Sequence, residues 1–118
     1  MNTLGTLGEE QAAQYLAQKG YRIVHRNFRA TGGEIDIVAH GKDTLVFVEV
    51  KQRSYMAFGG PLAAVTKTKQ LRIARAAAQF IKTHPHVSYK QLRFDVICIL
   101  PEGAEHVENA FCPPRSTL

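Results

Sequence analysis

The stretch that decides the fold is Gly33-Glu34-Ile35-Asp36-Ile37-Val38-Ala39-His40, followed after Gly41-Lys42-Asp43-Thr44 by Leu45-Val46-Phe47-Val48-Glu49-Val50-Lys51-Gln52. Both runs are rich in β-branched residues and read as strands, and the four residues between them read as the connection of a hairpin. Strand side chains alternate between faces, so Glu34, Asp36, Val38 and His40 share one side of the first strand. Leu45, Phe47, Glu49 and Lys51 share one side of the second. In an antiparallel pair, facing residue numbers have a constant sum. A two-residue turn (Lys42-Asp43) or a four-residue loop (residues 41–44) makes that sum odd and sets Asp36 directly opposite Glu49, with Cβ atoms ~4.5–5.5 Å apart. A loop of odd length would send the two acids to opposite faces.

Two facing carboxylates repel, by about 4 kcal/mol at ~4 Å and an effective dielectric near 20. A fold relieves this by protonating one acid, by recruiting a cation, or by splaying the pair into water. Splaying is disfavoured where Glu49 is flanked by Phe47, Val48 and Val50. Lys51 leans to the same side and offsets part of the charge. A divalent ion does so more completely, and hard oxygen ligands suit Mg²⁺ or Mn²⁺. The plainer alternative is a cross-strand ion-pair patch, since an isolated Glu-x-Lys triplet is common. A metal site is favoured because the acid and the lysine lie on the inward side of an apolar strand, opposite an aspartate.

Outward from the hairpin, the order reads α-β-β-β-α-β(β). Residues 4–19 carry a helical pattern through Ala12, Ala13, Tyr15 and Leu16, with Gly20 as a stop. Residues 21–28 read as a strand, broken by Ala30-Thr31-Gly32-Gly33. Residues 54–65, with Gly59-Gly60-Pro61, read as a mobile loop, and residues 66–83 as a second helix closed by His84-Pro85. Residues 92–100 read as a strand covered on both faces, residues 105–111 as a short edge strand, and residues 112–118 as a flexible tail. A sheet with a helix on each face would bury these elements.

Glu9 lies at helical spacing from Ala12, Ala13 and Leu16, on or beside the apolar stripe. It is either a third acid of the site or a charge that complements the helix N-terminus. On the second helix, Leu71, Ala74, Ala78 and Ile81 are read as the buried stripe. Lys69, Arg72, Arg75, Gln79 and Lys82 are read as a neighbouring basic track.

The chain has 118 residues, 45% hydrophobic and 21% charged. That suits one globular domain over 1–111 and excludes a coiled coil or a disordered tail. No apolar stretch approaches the ~20 residues of a membrane span, the start shows no signal-peptide pattern, and Cys98 and Cys112 form no disulfide framework. A cytoplasmic setting is expected, without membrane or small-molecule cofactor. The net charge is +5, and no acid occurs between Val50 and Phe94, where Lys51, Arg53, Lys67, Lys69, Arg72, Arg75, Lys82, Lys90 and Arg93 stand. Such a one-signed segment is either the footprint of a polyanion binder or a solvated surface.

With these residues in view, the chain resembles the PD-(D/E)xK nuclease superfamily, and within it the YraN-like family of small bacterial proteins related to Holliday-junction resolvases. The resemblance is carried by Gly33-Glu34-Ile35-Asp36-Ile37-Val38, Phe47-Val48-Glu49-Val50-Lys51, Arg53, Gly8-Glu9, Arg93-Phe94-Asp95-Val96 and Glu108-Asn109-Ala110-Phe111. It spans about residues 5–111. It implies an α/β, restriction-endonuclease-like αβββαβ core, with a mixed sheet between helices, and metal-dependent hydrolysis of structured or branched DNA in repair or recombination. It also implies Mg²⁺ or Mn²⁺ held by Asp36, Glu49, the backbone carbonyl of Val50 and Glu9. Lys51 would assist the attacking water and Gln52 would be a further polar site residue. The track of Arg53, Lys67, Lys69, Arg72, Arg75 and Lys82 is expected to hold nucleic acid, and a homodimer is expected because a junction offers two symmetric cuts. Ile35 stands where the superfamily has a nominal proline. A non-catalytic nucleic-acid-binding accessory protein on the same fold is the alternative. A weaker third is a protein-interaction module docking through residues 54–65.

Overall fold

A computed structural model describes residues 3–54 and 65–113, with residues 3–6 as backbone only. Helix α1 (Thr3–Gln18) is followed by strands β1 (Arg22–Ala30), β2 (Gly33–Gly41) and β3 (Thr44–Gln52). Helix α2 (Lys67–Thr83) then leads to β4 (Gln91–Leu100) and β5 (Gly103–Val107). The five strands form one sheet in sequence order. Neighbours run antiparallel except β3 and β4, which are parallel and joined through α2. This is the expected αβββαβ core with a mixed sheet. The expected loop at 54–65 falls largely on residues 55–64, outside the described residues, as does the tail from 114 onward.

Helix α1 ends as its sequence demands. Gly20 takes a φ of +98°, and the Gly20 and Tyr21 amides donate to the carbonyls of Ala17 and Leu16, closing the last turn. The β2–β3 connection is a two-residue turn. Gly41 pairs with Thr44, while Lys42 and Asp43 take φ values of 50° and 63°, the geometry that matches strand twist in a tight hairpin. That even turn decides every side-chain direction along β3.

The sheet is covered on both sides. Ala12 and Leu16 of α1 pack with Ile37, Val46, Val48 and Ile97 on one face. On the other, Ile73, Ala76, Ala77 and Phe80 of α2 pack with Leu45, Phe47, Phe94 and Phe111. The buried stripe of α2 is thus rotated from the expected one. Leu71 is exposed and Ala78 and Ile81 are half-buried, because the bulky pair Ile73 and Phe80, two turns apart, draws the helix down on its own side. The edge strand is also shorter than expected. It ends at Val107, and Asn109 turns through a φ of 53° so that the Ala110 amide donates to the Phe94 carbonyl.

Beneath α1 lies a buried ionic network. Asp95, wholly buried, accepts Arg93 Nε and Nη2 at 2.9 Å and the Asn109 amide at 2.9 Å, with His106 Nε2 at 2.8 Å. Arg93 Nη2 also donates to the Tyr21 hydroxyl at 2.6 Å. Burial alone would raise the Asp95 carboxyl, but these donors outweigh it and hold the carboxyl below its ordinary range. The Arg93-Phe94-Asp95 and Glu108-Asn109 runs therefore fasten β4 to β5 and β1, on the face away from the hairpin acids.

Candidate functional site

The β2–β3 ladder runs from Gly41↔Thr44 to Ile37↔Val48 and stops there. One step further on stand Asp36 and Glu49. At this fork the Val50 amide donates to Asp36 Oδ2 at 2.8 Å instead of to a β2 carbonyl. A strand residue's N–H and C=O leave on the same side, so the Val50 carbonyl is directed into the same gap.

Beside the fork is an open cavity of about 800 Å³ lined by Asp36, Glu49, Val50, Lys51, Lys69 and Arg72, among others. Helix α2 lies hard against its rim. A β-carbon at Gly33 would overlap the Arg72 carbonyl, so only glycine permits this approach. Thr66 caps α2, its hydroxyl accepting the Lys69 amide at 3.2 Å, which orients the first turn toward the strands.

The charges are unevenly shared. Glu49, buried, holds two ammonium groups on one oxygen: Lys69 Nζ lies 2.6 Å and Lys51 Nζ 3.2 Å from Oε2. Asp36 has no cation among the described residues. Burial first, then the charge of Glu49 and a hydrogen bond with it, push the Asp36 carboxyl up to about 7, against the pull of the Val50 amide. Burial and the neighbouring Lys69 pull Lys51 down from the ordinary lysine value. Burial is the largest single influence on Lys69 and lowers it, yet its hydrogen bonds to Glu49 and Lys51 and the charges of Glu49 and Asp36 together outweigh burial and raise it.

Of the residues expected at the site, Asp36, Glu49, Val50 and Lys51 come together as the hairpin argument requires. Glu9, on α1 across the sheet from α2, stands close enough for its charge to add the smallest push on Asp36. Among the described residues no three His, Cys, Asp or Glu side chains form a ready-made metal cluster. Gln52 is displaced. It follows Val50 in the alternation of β3, packs against Gly8 of α1, and borders a separate cleft with Arg53. The basic track divides: Lys69 and Arg72 line the cavity, whereas Lys67, Arg75 and Lys82 are exposed outside it.

Sequence reasoning missed that Lys69 reaches Glu49. The signal lay in topology: a helix joining parallel β3 and β4 begins beyond the C-terminal end of β3, so its first turn stands beside Glu49 and Lys51.

The donor chemistry fits a hard divalent ion at the fork. Two carboxylates and a strand carbonyl converge, one acid is driven toward protonation by burial and by the charge of the other, and among the described residues that line the cavity there is no sulfur or imidazole donor. Cys98 is buried elsewhere, and neither it nor Cys112 is in a disulfide. Among the described residues no helix is long and apolar enough to cross a membrane.

Comparison with known proteins places the chain among relatives of like size. Residues 8–99 match the model of "Uncharacterised protein family UPF0102". A UPF0102 protein of Pelobacter propionicus is 49% identical over 114 residues, covering 91% of this chain and 81% of the relative. One of Syntrophomonas wolfei is 45% identical over 112 residues, covering 92% and 96%. One of Trichlorobacter lovleyi is 45% identical over 114 residues, covering 92% and 89%. The chain that carries this forked hairpin therefore belongs to the protein family UPF0102, the YraN family.

Proposed function

We propose that the chain is a metal-dependent endonuclease that hydrolyses phosphodiesters in structured or branched DNA. The observation that carries the reading is the fork, where Asp36 faces Glu49 with its carboxyl raised to about 7 and Lys51 at its side. A Mg²⁺ or Mn²⁺ ion would be held by Asp36, Glu49 and the Val50 carbonyl. When bound, it supplies positive charge to a phosphoryl oxygen and acidifies water.

The chain's own residues do the rest. Lys51 Nζ, lowered in pKa by burial, takes the proton of the water that attacks phosphorus. The P–O bond opposite breaks, and the departing oxygen takes a proton from solvent. Arg72 at the rim and the exposed Lys67, Arg75 and Lys82 hold flanking phosphates, which positions the strand without reading its sequence. Arg53, exposed beyond the end of β3, borders the separate cleft and would hold a phosphate further along the strand. A homodimer presenting two such pockets would suit a junction with two symmetric cuts.

The test is cleavage with Mn²⁺ of flap, junction and single-stranded DNA. Loss of cutting in Asp36→Ala and Lys51→Ala is expected, and undiminished cutting by both would refute the site.

One observation favours a second reading, a non-catalytic nucleic-acid-binding accessory protein. Lys51 and Lys69 already neutralise Glu49, so the pocket can be a closed ion-pair cluster. Under that reading Glu49→Gln leaves function intact, whereas Arg72→Ala and Arg75→Ala reduce the salt dependence of nucleic-acid binding.

A further inference from the structure

We propose that Lys69 is a built-in counter-cation that competes with the divalent ion for Glu49 and, once displaced, binds a phosphate of the nucleic acid, so that metal and nucleic acid bind cooperatively through this one side chain. The inference rests on the nuclease reading and adds a coupling that the reading does not contain.

Glu49 Oε2 accepts both Lys69 Nζ at 2.6 Å and Lys51 Nζ at 3.2 Å. A divalent ion liganded by the same carboxylate brings two further positive charges to within a few ångström of both ammoniums, and the repulsion drives at least one of them to withdraw. The structure distinguishes which. The Lys51 side chain is 14% exposed and fixed on β3 within the sheet, whereas the Lys69 side chain is 39% exposed and springs from the first turn of α2 at the cavity mouth. Lys69 has room to swing outward and Lys51 does not.

Among the described residues no free acid waits for Lys69 outside. Asp36 is committed to the Val50 amide and to the metal. Glu34, the other acid on the rim, is 3.6 Å from Arg29. Arg72, exposed, lines the same cavity, and Lys67 stands exposed two residues before Lys69 on α2. A displaced Lys69 therefore enters a field of like charge, which a bound phosphodiester relieves. Without metal the same ammonium is tied to Glu49 and gives the nucleic acid little. This is a reciprocal coupling: whatever factor the metal adds to nucleic-acid affinity, the nucleic acid adds to metal affinity.

The experiment uses the full chain, with Lys69→Met, Lys69→Gln as a second uncharged variant, and Arg72→Met as the control that removes a cavity charge not bonded to Glu49. Mn²⁺ binding is measured by calorimetry, and binding of a short DNA duplex by fluorescence anisotropy in EDTA and in Ca²⁺. Both Lys69 variants are expected to tighten Mn²⁺ about tenfold, the equivalent of one displaced ion pair, and Arg72→Met distinctly less. Wild type is expected to bind the duplex more tightly in Ca²⁺ than in EDTA, and the Lys69 variants to lose that difference. Equal tightening of Mn²⁺ by Lys69→Met and Arg72→Met, or a Ca²⁺ effect on the duplex that survives in both Lys69 variants, overturns the coupling while leaving the nuclease reading in place. A wild type that binds neither Mn²⁺ nor duplex overturns both.

Discussion

The conflict at the fork gives the metal-free protein a stability that falls as pH rises, and Asp36→Asn should abolish that fall. The Asp36 carboxyl stands at about 7 in the fold against an ordinary value of 3.8. Between those values the folded chain holds a proton that the unfolded chain has released, so stability declines with rising pH across this window. Above pH 7 both states are ionised, and the full penalty for keeping Asp36 charged beside Glu49 applies. The difference corresponds to about 4 kcal/mol, reduced to roughly 2–3 kcal/mol where water and side-chain adjustment screen the pair. Asparagine keeps an oxygen for the Val50 amide and presents an NH₂ to Glu49, so the substitution removes the charge with little loss of packing. Urea unfolding in EDTA at pH 4.5, 6 and 8 reads the effect. The variant should match wild type within about 1 kcal/mol at pH 4.5 and exceed it by roughly 2–3 kcal/mol at pH 8. Added Mn²⁺ should restore wild type at pH 8 and leave the variant unmoved. Parallel stability curves for the two proteins, or a variant less stable at pH 8, would refute the reasoning.

Elsewhere the structure makes sharper demands on single residues. Asp95→Ala leaves Arg93 and His106 in a buried pocket without their anion and should cost about 3–5 kcal/mol in urea unfolding. Gly33→Ala drives a β-carbon into the Arg72 carbonyl, so α2 must move from the rim; a lower Tm with weakened Mn²⁺ binding is expected. Thr66→Ala removes the cap of α2 and should cost about 1 kcal/mol by thermal unfolding.

The hairpin acids were legible because alternation and turn parity are local arithmetic. Once Lys42-Asp43 forms a two-residue turn, the register runs to Ile37↔Val48 and brings Asp36 and Glu49 together at its end, although alternation breaks at Asp36, with Ile35 and Ile37 packed on opposite faces. The phase of α2 was less legible, since an alanine-rich helix offers several plausible apolar stripes, and only packing against Phe47 and Phe94 selects the one through Ile73 and Phe80. The position of Gln52 beside Gly8, away from the cavity, follows from which face α1 covers, a tertiary fact. So does Lys69, whose spacing reads as an outer basic track although the crossover brings it to Glu49. At Asn27 a φ of 55° interrupts β1, and His25 and Phe28 both reach Phe80 despite being three residues apart. Simple alternation could not foresee that irregularity.

Calorimetric titration of Mn²⁺ into wild type and Asp36→Ala at pH 7.5 tests the central claim most directly. The account predicts saturable binding to wild type, with proton release as the Asp36 carboxyl ionises, and no saturable binding to the variant. Equal binding by both proteins, or none by wild type, would contradict it.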